Sequence, residues 1–127
     1  GKIGGGRCPK QGWKNMWYGI YKGLEHLNIN SSNNYIVSFR YDYFQLNNRK
    51  IHNLENKIIQ FIKQNLNNKN IKFYDYKKGG TDNLYMGSYN KIKALIENFQ
   101  FKLDDILNAN EKIHNQELLV NIVAETI

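Results

Sequence analysis

The sequence predicts an α/β domain in which helices flank a mainly parallel sheet. Residues 35–44 and 71–76 are rich in β-branched and aromatic side chains, which is typical of strands. Before, between and after them, apolar residues recur at spacings of three and four, which predicts amphipathic helices. Because helices and strands alternate with short connections, βαβ units are the most economical topology.

The chain length and its two ends bear on domain organisation. A chain of 127 residues is long enough for one hydrophobic core. Residues 1–10 are predicted to be a flexible glycine-rich lead-in, and residues 11–127 a single α/β domain. Since the chain starts without Met and stops inside a predicted helix, we expect this domain to be a fragment of a larger one.

Composition limits the classes of partner. With 18 Lys and Arg against 11 Asp and Glu, the net charge of +7 favours anionic partners such as nucleic acid, acidic membrane or phosphorylated substrates. Much of the excess is Lys among Asn and Ile, as an AT-rich genome would also produce. The single cysteine, Cys8, excludes an internal disulfide. No apolar run approaches the roughly 18–20 residues of a membrane span, so we expect a cytoplasmic protein.

The first helix is predicted over residues 12–27. Its apolar stripe contains Trp13 and Trp17, one helical turn apart. Two aromatic rings on one face could form a stacking platform for a base or a sugar. Large aromatics on a helix stripe usually pack in the core, and this is the interpretation we favour.

Capping residues mark the later helices. A second helix is predicted over residues 54–66. Ser88 is a suitable N-cap for a third, and the acidic start of residues 103–113 suits the N-terminus of a fourth. Asn115 is predicted to cap the last helix, with Glu117 in its first turn.

Charged residues near two predicted strands are candidates for a functional site. Arg40 and Asp42 end the strand of residues 35–44 and point to the same face. They could form an exposed ion pair worth about 0–1 kcal/mol. At the carboxyl end of a strand, they could instead bind a phosphate and a divalent metal. Asp82 follows the strand of residues 71–76 after a glycine turn, either as a turn residue or as part of the same site.

The order of these motifs resembles that of a known family. Arg40-Tyr41-Asp42 follows a helix, Asp82 precedes an apolar pair and a glycine, and Glu117 opens a helix with paired leucines. Over about residues 11–125, this pattern is similar to the later part of GT-A-like glycosyltransferases of the bacterial surface-polysaccharide and large-virus type. The resemblance implies a partial Rossmann-like domain and metal-assisted transfer of a sugar from a nucleotide-sugar donor to a glycan or other hydroxyl acceptor.

The resemblance also implies roles for individual residues. Asp42 would bind the divalent metal, Mn or Mg, with Arg40 on the phosphate side, where the family has the first Asp of a DxD motif. Asp82 would lie on the acceptor side, and its carboxylate suits a catalytic base. Apart from the resemblance, Glu117 and His114 at the start of a helix would close the site from the other side, because a helix N-terminus favours an anionic cofactor or donor and His could donate to it.

Two further expectations can be compared with a structure. In a parallel sheet, Arg40, Asp42 and Asp82 would gather at one edge, because neighbouring strands lie about 4.8 Å apart.

The alternative to the enzyme is a basic nucleic-acid-binding module without catalytic activity. It rests on the charge of +7 and on nine tyrosines that could stack on bases.

Overall fold

The computed structural model describes residues 2–3, 8–27, 34–39, 51–75, 79–113 and 115–127. These residues are mainly helical. In chain order the elements are β1 (Lys2–Ile3), β2 (Cys8–Pro9), α1 (Lys10–His26), β3 (Tyr35–Phe39), α2 (Ile51–Asn65), β4 (Lys72–Phe73), β5 (Leu84–Ser88), α3 (Tyr89–Phe101), α4 (Leu103–Ala109) and α5 (Gln116–Glu125).

The main sheet of the described residues is antiparallel, so the predicted parallel α/β class is wrong. Its strand order is β3-β5-β4, and β5 runs antiparallel to both neighbours. The two strands on either side of α2 run in the same direction, as a βαβ unit would require. They do not pair, however, because β5 lies between them. The predicted central strand, β3, therefore has β5 as its partner.

The central strand β5 was missing from the sequence prediction. Its residues Leu84–Ser88 are all buried. The sequence prediction made Ser88 a helix cap and gave residues 84–87 no secondary structure. A short strand that is buried on both faces lacks the alternation of apolar and polar residues by which strands are recognised. Gly87 permits close packing here, because a Cβ at this position would lie 3.2 Å from Ile71 Cα.

The strand predicted over residues 71–76 is shorter in the structure. β4 contains only Lys72–Phe73, and the chain turns at Tyr74 and Asp75, where Asp75 has a φ of 53°. The Tyr74 amide then donates to the Leu84 carbonyl at 2.9 Å, which joins the turn to β5. β4 and β5 are therefore a hairpin pair rather than successive parallel strands.

Both predicted helix caps are confirmed. The Ser88 hydroxyl accepts from the Lys91 amide at 3.4 Å at the start of α3. The Asn115 side chain accepts from the Glu117 and Leu118 amides at 2.8 and 3.2 Å at the start of α5. Local side-chain chemistry was a reliable guide at these two positions.

The core is organised around the packing of α1 against α3. Trp13 and Trp17 are only 1% and 2% exposed. Trp17 stacks on Phe99 with ring centroids 4.5 Å apart and an interplanar angle of 9°. The core interpretation of the two tryptophans is confirmed.

The first residues of the chain contain a short strand pair. Lys2–Ile3 pairs antiparallel with Cys8–Pro9, within the segment that was expected to be a flexible lead-in.

Within the described ranges, none of the helices combines the length and the apolar character that crossing a bilayer requires.

Candidate functional site

A pocket of about 420 Å³ lies between α1, the β3–β5 pair and the start of α5. We call it the carboxylate pocket, because two carboxylate side chains are among the residues that line it. These residues are Trp13, Met16, Trp17, Ile20, Ser38, Phe39, Asp82, Tyr85, Gln116, Glu117 and Val120.

The antiparallel register explains why Asp82 reaches this pocket. Phe39, the last residue of β3, pairs with Leu84, the first residue of β5. The carboxyl end of β3 therefore meets the amino end of β5. Asp82 precedes β5 by two residues, so it lies at the edge where β3 ends. The prediction had Asp82 following a parallel strand, and this is corrected: it precedes an antiparallel one.

Hydrogen bonds attach the segment containing Asp82 to α5. Asn121 is 1% exposed, and its side chain accepts from the Thr81 amide at 2.9 Å and donates to the Thr81 carbonyl at 2.7 Å. The Asn115 side chain donates to the Gly79 carbonyl at 2.7 Å while it caps α5. These bonds join residues just before Asp82 to residues of α5 and its cap, on either side of Glu117. They therefore fix the segment containing Asp82 relative to the segment containing Glu117.

Gly80 brings the two segments into close contact. Its φ is +97°, in the region that L side chains rarely adopt. A Cβ at this position would lie 2.3 Å from the Leu118 amide nitrogen, well inside the contact distance. Only glycine therefore fits between the turn and the first turn of α5.

The electrostatics of the pocket can be read from Tyr85. Burial raises the pKa of its phenol, a hydrogen bond from Ser38 opposes this, and the charge of Asp82 raises the pKa further. Ser38 and Tyr85 are direct cross-strand partners, which accounts for their contact. The phenol therefore stays protonated at neutral pH, as an uncharged group beside Asp82.

Two buried nitrogen atoms of pocket-lining side chains lack a hydrogen-bond partner within the described part of the chain. They are Nε1 of Trp17 and Nε2 of Gln116. An indole nitrogen is only a donor, and so is an amide nitrogen. Residues that line the pocket therefore include two with buried donors that lack acceptors, Trp17 and Gln116, and two with carboxylate acceptors, Asp82 and Glu117.

The predicted site residues divide into two groups. Asp82 and Glu117 line the same pocket, as the sequence predicted for a common site. Arg40, Asp42 and His114 lie outside the described residues. For the first two, the sequence shows only that they follow Phe39, which itself lines the pocket.

Sequence reasoning missed four residues that line the pocket: Ser38, Tyr85, Gln116 and, as a polar group, Trp17. Trp17 was identified as a core residue, and its ring is buried, but the ring nitrogen was not considered. The position of Gln116 next to Glu117 was the available signal, because both open the helix that Asn115 caps.

The carboxylate pocket has a chemistry that suits a divalent cation only in part. Within the ranges described, no three His, Cys, Asp or Glu side chains group closely enough to hold a metal ion. Mg²⁺ nevertheless often binds through one or two carboxylates together with substrate phosphates and water. Asp82 and Glu117 carry carboxylate oxygens of this kind.

A second cavity, of about 460 Å³, lies beside β4 and the end of α5. Its polar lining includes Lys72, Asn121 and Glu125. The Asn121 side chain already makes two hydrogen bonds to Thr81. Because this cavity contains neither predicted site residue, the carboxylate pocket is the better candidate.

Comparison with known proteins finds no matching family model, no matching curated protein and no matching solved structure. The case for any function therefore rests on the chemistry of the pocket and on the motifs in the sequence.

Proposed function

We propose that this chain is a glycosyl-transfer domain that uses a nucleotide-sugar donor and a hydroxyl acceptor, with the reaction taking place at the carboxylate pocket. The observation behind the proposal is that Asp82 and Glu117, from different elements, line one pocket at the end of β3. The motif Arg40-Tyr41-Asp42 follows β3 directly in the sequence. The proposal includes a cytoplasmic location.

The types of side chain in the pocket suit a sugar. Carboxylates, an amide and a hydroxyl provide planar and polar groups for the hydroxyls of a carbohydrate, and Phe39, which is 53% exposed, presents an apolar ring at the rim. Pockets that bind small ligands combine an apolar lining with a few polar groups in this way.

The reaction would proceed as follows for inversion. The acceptor oxygen forms a bond to the anomeric carbon of the donor sugar, and the bond from that carbon to the phosphate oxygen breaks. The nucleoside diphosphate leaves with the electron pair of the broken bond. Asp82, as general base, takes the proton of the acceptor hydroxyl. A carboxylate at the end of β3 and near the acceptor is suited to this role.

The donor would lie toward the segment that follows β3. Arg40 is proposed to pair with the diphosphate, and Asp42 to bind a divalent metal, with His114 and Glu117 at the start of α5 closing the site. A bound divalent cation would neutralise negative charge on the departing diphosphate. Glu117 lines the pocket, and the roles of all four residues are predictions from the sequence.

Turnover of nucleotide sugars tests this proposal. The protein is incubated with Mn²⁺ or Mg²⁺ and UDP-, GDP-, ADP- and dTDP-sugars, and release of nucleoside diphosphate is measured with and without sugar acceptors. We expect Asp82→Asn to reduce turnover by about 10²-fold or more through loss of the base, while donor binding is retained. Asp42→Asn should abolish metal-dependent donor binding.

Asp105→Asn is the matched control, because Asp105 is an exposed carboxylate on α4 that does not line the pocket. It should leave turnover unchanged. Absence of both turnover and metal-dependent donor binding for all four nucleotide classes would refute the proposal. Sub-micromolar, strongly salt-dependent affinity for a random oligonucleotide would then favour the nucleic-acid-binding alternative.

A further inference from the structure

The two unpartnered donors of the carboxylate pocket indicate what kind of group the pocket binds. Trp17 is 2% exposed, and its Nε1 is shielded from bulk water, as is Nε2 of Gln116. Neither nitrogen has an acceptor within the described residues. Buried donors without partners are rare in folded proteins, so each requires an explanation.

The fold makes no evident use of these donors. Trp17 already packs its ring on Phe99, and the start of α5 is already capped by Asn115. By contrast, the buried side chain of Asn121 on α5 is satisfied, since it uses both its oxygen and its nitrogen. Because the two nitrogens belong to residues that line one pocket, a bound ligand is the simplest source of their acceptors.

The remaining polar groups restrict the class of that ligand. Asp82 and Glu117 line the same pocket with carboxylate oxygens, which accept hydrogen bonds, whereas Trp17 and Gln116 contribute buried donors. A hydroxyl group both donates and accepts, so a polyhydroxylated molecule can hydrogen-bond to both kinds of group. An anion would satisfy the nitrogens but would be repelled by the two carboxylates.

We propose that Trp17 Nε1 and Gln116 Nε2 donate hydrogen bonds to hydroxyl oxygens of a neutral sugar, and that this sugar is the acceptor. The inference rests on the proposed function only in giving this sugar the role of acceptor. Neutral-sugar binding itself follows from the donors and carboxylates of the pocket. Trp17 and Gln116 are thus binding residues, and the sequence had placed neither in a polar role.

NMR provides a direct test, because the chain contains only two tryptophans and therefore gives two indole N–H signals. The signals are assigned with Trp13→Phe. The ¹⁵N-labelled protein is then titrated with maltose, lactose and chitobiose, and separately with inorganic phosphate. We expect at least one sugar to move the Trp17 indole proton downfield in a saturable manner, as a new hydrogen bond requires, and phosphate to have no such effect.

The variant Gln116→Met removes the amide donor and keeps the length of the side chain. It should weaken sugar binding by about 3- to 10-fold, the range expected for one hydrogen bond. Gln11→Met is the matched control, since Gln11 is exposed on α1 and bonded to Asn15. It should leave the affinity unchanged.

The outcomes separate this inference from the proposed function. If none of the three sugars shifts the Trp17 signal, if phosphate does, or if Gln116→Met binds sugar as tightly as the parent, the inference is wrong. Nucleotide-sugar turnover would still support the proposed function in that case. A saturable sugar-induced shift without any turnover would instead retain the inference and refute glycosyl transfer.

Discussion

Two amide side chains of the same helix differ in how their polar atoms are satisfied. Asn121 of α5 is buried and makes two hydrogen bonds to the Thr81 backbone, at 2.9 and 2.7 Å. Gln116, at the start of that helix, has a buried nitrogen with no acceptor in the described part of the chain. The first residue joins α5 to the segment before β5, and the second lines the carboxylate pocket.

The difference separates structural from ligand-binding polar groups. A buried polar group that is satisfied by the protein contributes to folding, and its removal leaves its partners unpaired. A buried donor that the protein leaves unsatisfied costs stability and is retained where function requires it. The junction of residues 79–82 with α5 is built from groups that the protein satisfies. The donors of Trp17 and Gln116 are groups that the protein leaves unsatisfied.

The largest effect is expected at Gly80, where the junction is tightest. Gly80→Ala would place a Cβ 2.3 Å from the Leu118 amide nitrogen at a φ of +97°. Backbone strain and overpacking each cost about 1–3 kcal/mol, so we expect a loss of about 3–5 kcal/mol in urea unfolding. Gly79→Ala is the control, because a Cβ there meets no atom within 4 Å. Equal stability of the two variants would contradict the close contact.

Asn121→Leu should rank second. It leaves the Thr81 amide and carbonyl without partners in a buried position, which we expect to cost about 2–4 kcal/mol by urea unfolding. The control is Asn98→Leu, which removes one bond to the Ala94 carbonyl inside α3 and should cost less than about 1 kcal/mol. If both changes cost the same, the Asn121 pair is not what secures the junction.

The two helix caps should give a smaller difference. Asn115→Ala removes two cap bonds and the bond to the Gly79 carbonyl, so we expect a loss of about 1–2 kcal/mol in thermal or urea unfolding. Ser88→Ala removes one long bond of 3.4 Å and should cost about 0.5–1 kcal/mol. A larger loss for Ser88→Ala would mean that the α5 cap does not contribute to the junction.

The smallest effect concerns an exposed ion pair whose residues do not line the pocket. A hydrogen bond from Lys10 holds the pKa of the Asp104 carboxyl below its usual value, and the charges of Lys10 and Lys14 add to this. The pair therefore stabilises the fold at neutral pH and loses its contribution as pH falls through the lowered pKa. Asp104→Asn should flatten the acid-side decline in unfolding free energy slightly, and Asp105→Asn should change it less. An unchanged decline in Asp104→Asn would show that the pair is not formed.

Local features of the fold were predictable from the sequence. The caps Ser88 and Asn115 and the core role of Trp13 and Trp17 follow from side-chain chemistry within one or two helical turns. The direction of the sheet did not follow, because it depends on which strands pair. β5 was not recognised, and without it the strands flanking α2 were expected to be neighbours.

The site was predictable to a similar degree. The shared location of Asp82 and Glu117 was anticipated, although for a parallel sheet, whereas the sheet of the described residues is antiparallel. In an antiparallel pair, the end of one strand lies beside the start of the other. Asp82, which precedes β5, therefore lies near the end of β3 although the predicted strand direction was wrong. Trp17 and Gln116 were missed because a sequence gives no sign of which buried donors lack acceptors.

The most direct measurement of the central claim compares Gln116→Met with Asn121→Leu in urea unfolding without ligand. If the Gln116 donor serves a ligand, its removal leaves the unfolding free energy within about 0.5 kcal/mol of the parent or raises it. Asn121→Leu should lower it by about 2–4 kcal/mol in the same experiment. A loss for Gln116→Met as large as that for Asn121→Leu would show that the fold itself uses this donor, and would contradict the claim.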